Sequence, residues 1–272
     1  PKPTPAPSGK QAFHLSKADC PKTDVERVFM ATVPYRQTVG ELRHLQQFAR
    51  PDISAALSHV SSYLSDPGPR HWEAVQWIVL YLKGSPDVGI TYSDGSRAPL
   101  HGYADSDWAS DLDSRCSRTG YAFVYAGGAV SWATRKQVTP AQSTMEAEYM
   151  AACDASNESI WLRRLFSSLG VKHANPTGLH LHDASALAAT SLVLHGDNAA
   201  AIALAHNDVH HARSKHIDIR HHAIRGHIDQ GALIFQWIPS KANVSDLLTK
   251  PLPRPLFLSH RSALMGLPLP PV

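Results

Sequence analysis

Four acidic residues in this chain are placed so that they can do chemistry together: Asp105, Glu148, Asp197 and Asp246. Hydrolysis of a phosphodiester by two divalent cations needs carboxylates converging from different segments, because ions ~4 Å apart repel each other unless negative charge surrounds them. Mg²⁺ or Mn²⁺, which favour oxygen donors, suits such a set. Each acid also has a purely structural reading. Asp105 competes with Asp94, which lies in the run Asp94-Gly95-Ser96, where a short carboxylate stabilises a turn. Counting strands favours Asp105, since starting from Asp94 leaves one strand too many. Asp107 shares a strand face with Asp105 and reads either as an auxiliary acid or as a strand-end turn former. Glu146 and Glu148 are two residues apart, about 200° around a helix, so only one can face a site. Ser143 and Glu146 have capping-box spacing, which leaves Glu148 free to point at a sheet. Asp197 and Asp246 each stand at a helix start, where a carboxylate can cap the first turn. What singles out the four is their order: strand, helix, strand, helix.

The elements that must position these acids follow from hydrophobic periodicity. Residues 1–30 are polar and Pro-containing and read as an extended leader. In 31–92, apolar stripes recur at helical spacing through Val39, Leu42 and Leu45, then Ile53, Leu57 and Val60, then Trp72, Val75 and Val79. Pro51 and Pro69 open the last two, and the region is predicted to be a small helical module. Short strands are predicted over 89–92, 100–104, 120–125 and 129–134, the last pair joined at Gly127-Gly128, a hairpin signal. Beyond them the pattern predicts a helix over 143–169, a loose segment over 172–189, a strand over 191–195 and helices over 198–206 and 215–230. A strand over 233–238 and a short helix from Asp246 complete it. From 98 onward the order is β-β-β-α-β-α-α-β-α. This gives an α/β domain over 98–252, a mixed five-stranded sheet with its first three strands antiparallel and helices on its faces. Residues 253–272 are predicted to be a Pro-rich tail, and Trp132, Trp161 and Trp237 are expected in the core.

The 272 residues suit one large or two small domains. Hydrophobic residues make up 43% and charged residues 18%, an ordinary globular balance. A net charge of +3 and a pI near 8.8 are compatible with a polyanionic partner, and 17 histidines add positive charge below pH ~6.5. Cys20, Cys116 and Cys153 form neither a disulfide framework nor a zinc spacing, which fits a reducing compartment. No apolar run approaches the ~20 residues of a membrane span, and residues 1–9 lack the apolar stretch of a signal peptide. The chain is therefore expected in the cytoplasm or nucleus, not secreted and not in a membrane. It opens on Pro1 and is expected to be a piece of a longer polypeptide.

The same residues carry a family resemblance. The runs 103–108 (YADSDW), 143–150 (STMEAEYM), 195–199 (HGDNA), 215–220 (KHIDIR) and 245–251 (SDLLTKP) resemble the ribonuclease H region of Ty1/copia-type retrotransposon polyproteins. Upstream, 33–36 (VPYR), 50–53 (RPDI), 71–74 (HWEA) and 81–84 (YLKG) resemble the segment after the polymerase palm in that family. The resemblance spans roughly 14–255. It implies an RNase H-like fold, preceded by a thumb- or connection-like module that grips nucleic acid. It also implies endonucleolytic cleavage of the RNA strand of an RNA–DNA hybrid, leaving 3′-hydroxyl and 5′-phosphate ends. Asp105, Glu148, Asp197 and Asp246 fall on the family's metal-binding acids, with two Mg²⁺ ions implied. Cellular ribonucleases H carry a histidine in the loop before the last acid; here that loop is Ser240-Lys241-Ala242-Asn243. The run 103–107 is not the YxDD of a polymerase palm, so fingers and palm of a reverse transcriptase are expected as partners and DNA synthesis is not expected of the chain itself.

Two rival readings stay open on sequence grounds. One is a non-catalytic hybrid-binding subdomain that needs the absent polymerase part. The other is an integrase-type DNA nuclease, disfavoured because Glu148 precedes Asp197 and Asp246. Arg213, Lys215, Arg220 and Lys241 are candidate contacts to a nucleic-acid backbone. The histidines crowded over 206–227 read as solvated or helix-packing residues, with a zinc site as the alternative.

Overall fold

The computed structural model describes residues 4, 6, 7, 14–93, 98–171, 191–206 and 223–268. Asp94, the candidates Arg213, Lys215 and Arg220, the segment 172–190 and most of the histidine-rich stretch lie outside the described residues.

The leader is not extended throughout. Thr23 and Glu26 form a capping box, with Glu26 N donating to Thr23 Oγ1 at 3.2 Å and Thr23 N donating to the Glu26 carboxylate at 3.0 Å. This box starts α1 (Asp24–Thr32), which buries Met30. The next helices are α2 (Tyr35–Phe48), α3 (Ser54–Ser61) and α4 (Pro69–Lys83), with a 3₁₀ turn over Pro51–Ile53. Pro51 and Pro69 sit at first helical positions, where a missing N–H costs nothing.

The sheet comprises β1 (His101–Asp107), β2 (Arg118–Tyr125), β3 (Gly128–Lys136), β4 (Leu192–Gly196) and β5 (Leu233–Trp237). Its order is β3-β2-β1-β4-β5. Strands β1, β2 and β3 pair antiparallel, and β4 and β5 add in parallel beyond β1. This is the RNase H-like arrangement the element order predicts. The β2–β3 turn uses Ala126 and Gly127, both with positive φ (51° and 83°), the requirement of a tight type I′ connection. The expected strand over 89–92 does not form. Thr91 N donates to Met265 O and Ser93 N to Ala126 O, so these amides are satisfied outside any ladder.

The remaining helices are α5 (Thr144–Ser168), α6 (Ala199–His206), α7 (Ala223–Asp229), α8 (Asp246–Thr249) and α9 (Arg254–Met265). Helix α9 corrects the expected tail. Its prolines, Pro253 and Pro255, sit at and just after the N-cap, where proline favours a helix, and Gly266 closes it at φ 66°.

Both faces of the sheet are covered. On one, Tyr149, Ala152 and Ala155 of α5 pack with Tyr121, Phe123, Leu194 and Phe235, joined by α6 and α7. On the other, Ala122, Val124 and Ala129 share a single cluster with Val39, Leu57, Val75 and Ile78 of the helical module and with Phe257, Leu264 and Met265 of α9. The module over 31–92 thus has no core separate from the sheet. Two tryptophans expected inside are not: Trp161 and Trp237 are 54% and 53% exposed. Trp132 is half-buried and donates through Nε1 to Gln46 O at 3.1 Å. Among the described residues no helix is long and apolar enough to cross a membrane.

Candidate active site

Asp105 lies on the central strand, 1% exposed. It pairs with Gly120 of β2, and that glycine decides what can lie over it. A Cβ on Gly120 would come within 2.5 Å of Thr249 Cγ2 and 3.0 Å of Leu248 Cβ. Its absence lets α8 settle onto β2 and bring Asp246 and Thr249 to Asp105. Thr249 Oγ1 donates to Asp105 Oδ2. The loop before α8 is pinned by Asn243, fully buried, whose Nδ2 donates to Ala104 O at 3.0 Å while its Oδ1 accepts from Ser245.

Asp197 follows β4, the strand parallel to β1. The cap of α6 is its neighbour: Asn198 Oδ1 accepts from Ala201 N at 3.0 Å. Asp197 is thereby released from the capping role its position allowed. Likewise the N-cap of α8 is Ser245, leaving Asp246 as the first helical residue. At α5, Ser143 Oγ accepts from Glu146 N, and the Glu146 carboxylate turns back to Gln142 N at 2.8 Å. Glu146 is occupied structurally, and Glu148 points at the sheet, its carboxylate accepting from the Ser106 amide.

Ligand oxygens of Asp105, Asp197 and Asp246 all lie within 4.8 Å of one another. Glu148 stands beside this trio, close enough for Asp105 and Asp197 to act on it electrostatically. Burial first, then those two charges, push its carboxyl well above the ordinary range. Burial and Asp105 do the same to Asp246. Asp107, next on the same strand face, is raised by burial, with Lys250 opposing.

Lys250 is the residue that the reading of acids missed. Its Nζ is 2.9 Å from Asp246 Oδ1 and 3.5 Å from Asp105 Oδ1. The acids' charges outweigh its burial and hold its ammonium firmly protonated. Asp105 Oδ1 accepts no hydrogen bond, while Asp246 Oδ1 meets only the Lys250 ammonium. A cluster of hard oxygen donors with unused lone pairs, gathered round one ammonium, fits a divalent cation. Of the basic candidates, Lys241 is exposed on a 3₁₀ turn just before Asn243.

No protein-family model matches the chain. The retrovirus-related Pol polyprotein from transposon TNT 1-94 of Nicotiana tabacum is 42% identical over 243 residues, 89% of this chain. The chain belongs to the retrovirus-related Pol polyproteins of transposons. The Pol polyprotein from transposon RE2 of Arabidopsis thaliana is 35% identical over 87% of the chain. This Pol segment spans 17% and 15% of those two relatives' lengths. The Ty1/copia resemblance read from the motifs is borne out at the level of family. Among solved structures, LC11-RNase H1 in complex with RNA/DNA hybrid aligns with 55% of this chain and 93% of its own, at TM-score 0.35 and 14% identity. The fold assignment rests on strand order and direction rather than on that alignment.

Proposed function

We propose that this Pol segment is an endonuclease that hydrolyses the RNA strand of RNA–DNA hybrids, with Asp105, Glu148, Asp197 and Asp246 as its divalent-cation ligands. The observation that carries the reading is the meeting of Asp105, Asp197 and Asp246, from three separate elements, within 4.8 Å, with Glu148 adjoining from a fourth. Bound cations, two in this reading, supply water activation and stabilisation of the leaving oxygen in an in-line displacement. The chain's own residues hold the acids for that task. Thr249 and the strand fix Asp105, the Ser106 amide orients Glu148, and Asn243 sets the entry to Asp246. Lys250 keeps positive charge beside the acids and next to where a scissile phosphate would lie. Lys241 and the stretch holding Arg213, Lys215 and Arg220 are proposed backbone contacts, and the rest of the reverse transcriptase is the proposed partner.

The test is cleavage of a labelled hybrid by the purified chain with Mg²⁺ and with chelator. Asp197→Asn should lower the rate roughly 100-fold or more, since cation charge stabilisation is worth several kcal/mol and each 1.36 kcal/mol is tenfold. Hybrid binding without metal-dependent cleavage would leave the chain a binding subdomain.

A further inference from the structure

The carbonyl of Asp197 falls between two hydrogen-bond ladders. The parallel ladder of β4 and β5 ends at Gly196 O, which accepts from Ile238 N at 2.9 Å. The ladder of α6 begins at Asn198 O, which accepts from Ile202 N at 3.1 Å. Asp197 O belongs to neither, and a backbone acceptor in that position calls for another partner. Trp237, the last residue of β5, supplies it: its Nε1 donates to Asp197 O at 3.0 Å.

Packing alone does not account for Trp237, whose side chain is half in solvent. An indole joins a large apolar body to a single N–H donor. Here the donor is spent on the backbone of an active-site acid. Strand pairing brings it there. Gly196 pairs with Trp237, and the ring of Phe235, on the same strand face as Trp237, fills the space a side chain at 196 would take. A Cβ built on Gly196 would lie 2.8 Å from Phe235 Cε2. The ends of β4 and β5 therefore close on each other, and the indole reaches the next peptide.

We infer that Trp237 is a positioning residue for Asp197, aiming its carboxylate at Asp105 and Asp246. Peptide units are planar, so φ and ψ of Asp197 alone set the direction of its Cβ. Ile238 N limits rotation of the peptide unit before Asp197, and Trp237 Nε1 limits rotation of the one after it. Asn198 takes the cap of α6, which leaves the Asp197 carboxylate to the trio of acids. The acid is thus ordered before a cation arrives, and the cation does not bear the cost of ordering it. The assignment rests on the proposal that these acids are cation ligands.

Mn²⁺ is titrated calorimetrically into the metal-free full chain with no nucleic acid present, so cleavage plays no part. Wild type should bind it, and Asp197→Asn should lose that binding. Trp237→Phe keeps a ring and removes the N–H; its Kd for Mn²⁺ should rise roughly fivefold, the effect of one net hydrogen bond. Ile234→Ala, exposed on the opposite face of β5, should keep the wild-type Kd. In chelator, the Tm of Trp237→Phe should fall no further than that of Ile234→Ala. The inference is overturned by a wild-type Kd in Trp237→Phe, by an equal rise in Ile234→Ala, or by a rise that comes only with a larger loss of Tm. Hydrogen exchange of the Trp237 indole, followed by NMR on the unsubstituted chain in chelator, is an independent check. Protection is expected, and exchange at the rate of a free indole also overturns the inference. Absence of Asp197-dependent Mn²⁺ binding in wild type is a different failure: it removes the cation-ligand proposal, and this inference with it.

Discussion

Lys250 supplies the positive charge that lets Asp105 and Asp246 sit together in the folded chain. Replacing it with methionine keeps the length and removes the charge, so the carboxylates face one another. Lys250 is a third exposed, which screens the pair, so a loss of about 1–2 kcal/mol is expected rather than the ~3–5 of a fully buried pair. Added Mg²⁺ should restore the charge balance. In thermal melts, Lys250→Met should lie below wild type in chelator and close most of that gap in Mg²⁺; an equal gap in both would contradict the role. The acids themselves were legible in the sequence because they fall in the order strand, helix, strand end, helix start, with Ser143 and Glu146 spaced as a capping box that leaves Glu148 free. The lysine was not, because a basic residue four positions after an acid on a short helix reads as an ordinary surface pair. Asp197 shows a further gain from structure: only the hydrogen bond of Asn198 to Ala201 shows which of two adjacent residues caps α6 and which is free.

At the scale of elements, the site depends on α8 lying directly on β2, and Gly120 is what permits this. A methyl group there meets Thr249 and Leu248, and the backbone of the paired strands cannot retreat. Gly120→Ala should cost about 1–3 kcal/mol as an overpacking substitution. By lifting Asp246 from Asp105 it should also raise the Mg²⁺ concentration needed for half-maximal cleavage. A variant with lowered Tm but an unchanged Mg²⁺ midpoint would separate packing from the site. The five strands of the mixed sheet, the antiparallel run of the first three and the long helix α5 were readable from hydrophobic period and turn residues; the spatial order of the strands comes from the structure. Helix α9 was not, because Pro253, Pro255 and Pro268 give 253–272 the composition of a tail, and only the burial of Phe257, Leu264 and Met265 shows that its apolar residues face one way. The failure over 89–92 has the same origin: apolar alternation reports a half-buried strip, whether its amides meet a strand or the end of a helix.

Across the whole molecule, the helical module and one sheet face form one core, and His59 of α3 is buried at that junction beside Arg118 and Asp111. Burial, then the charge of Arg118, lowers its pKa from 6.5 to about 3. The unfolded chain therefore binds this proton below pH 6.5 while the folded chain does not, so stability is full above pH 6.5 and falls as pH drops towards 3. At pH 5 the loss from this residue is roughly 2 kcal/mol, from 1.36 kcal/mol per unit. Denaturant unfolding at pH 7 and pH 5 should show it, with His59→Gln reducing the difference by about that amount; an unchanged difference would place the pH sensitivity elsewhere. A shared core also means that module and sheet should unfold in one transition. The central claim concerns what this single body does at the acids around Asp105. It is tested most directly by giving the purified chain and Mg²⁺ an RNA–DNA hybrid labelled separately on each strand, beside duplex DNA and single-stranded RNA. Cutting of the RNA strand of the hybrid alone, absent in Asp105→Asn, is the expected result. Cutting of duplex DNA, or RNA cleavage that survives Asp105→Asn, would contradict it.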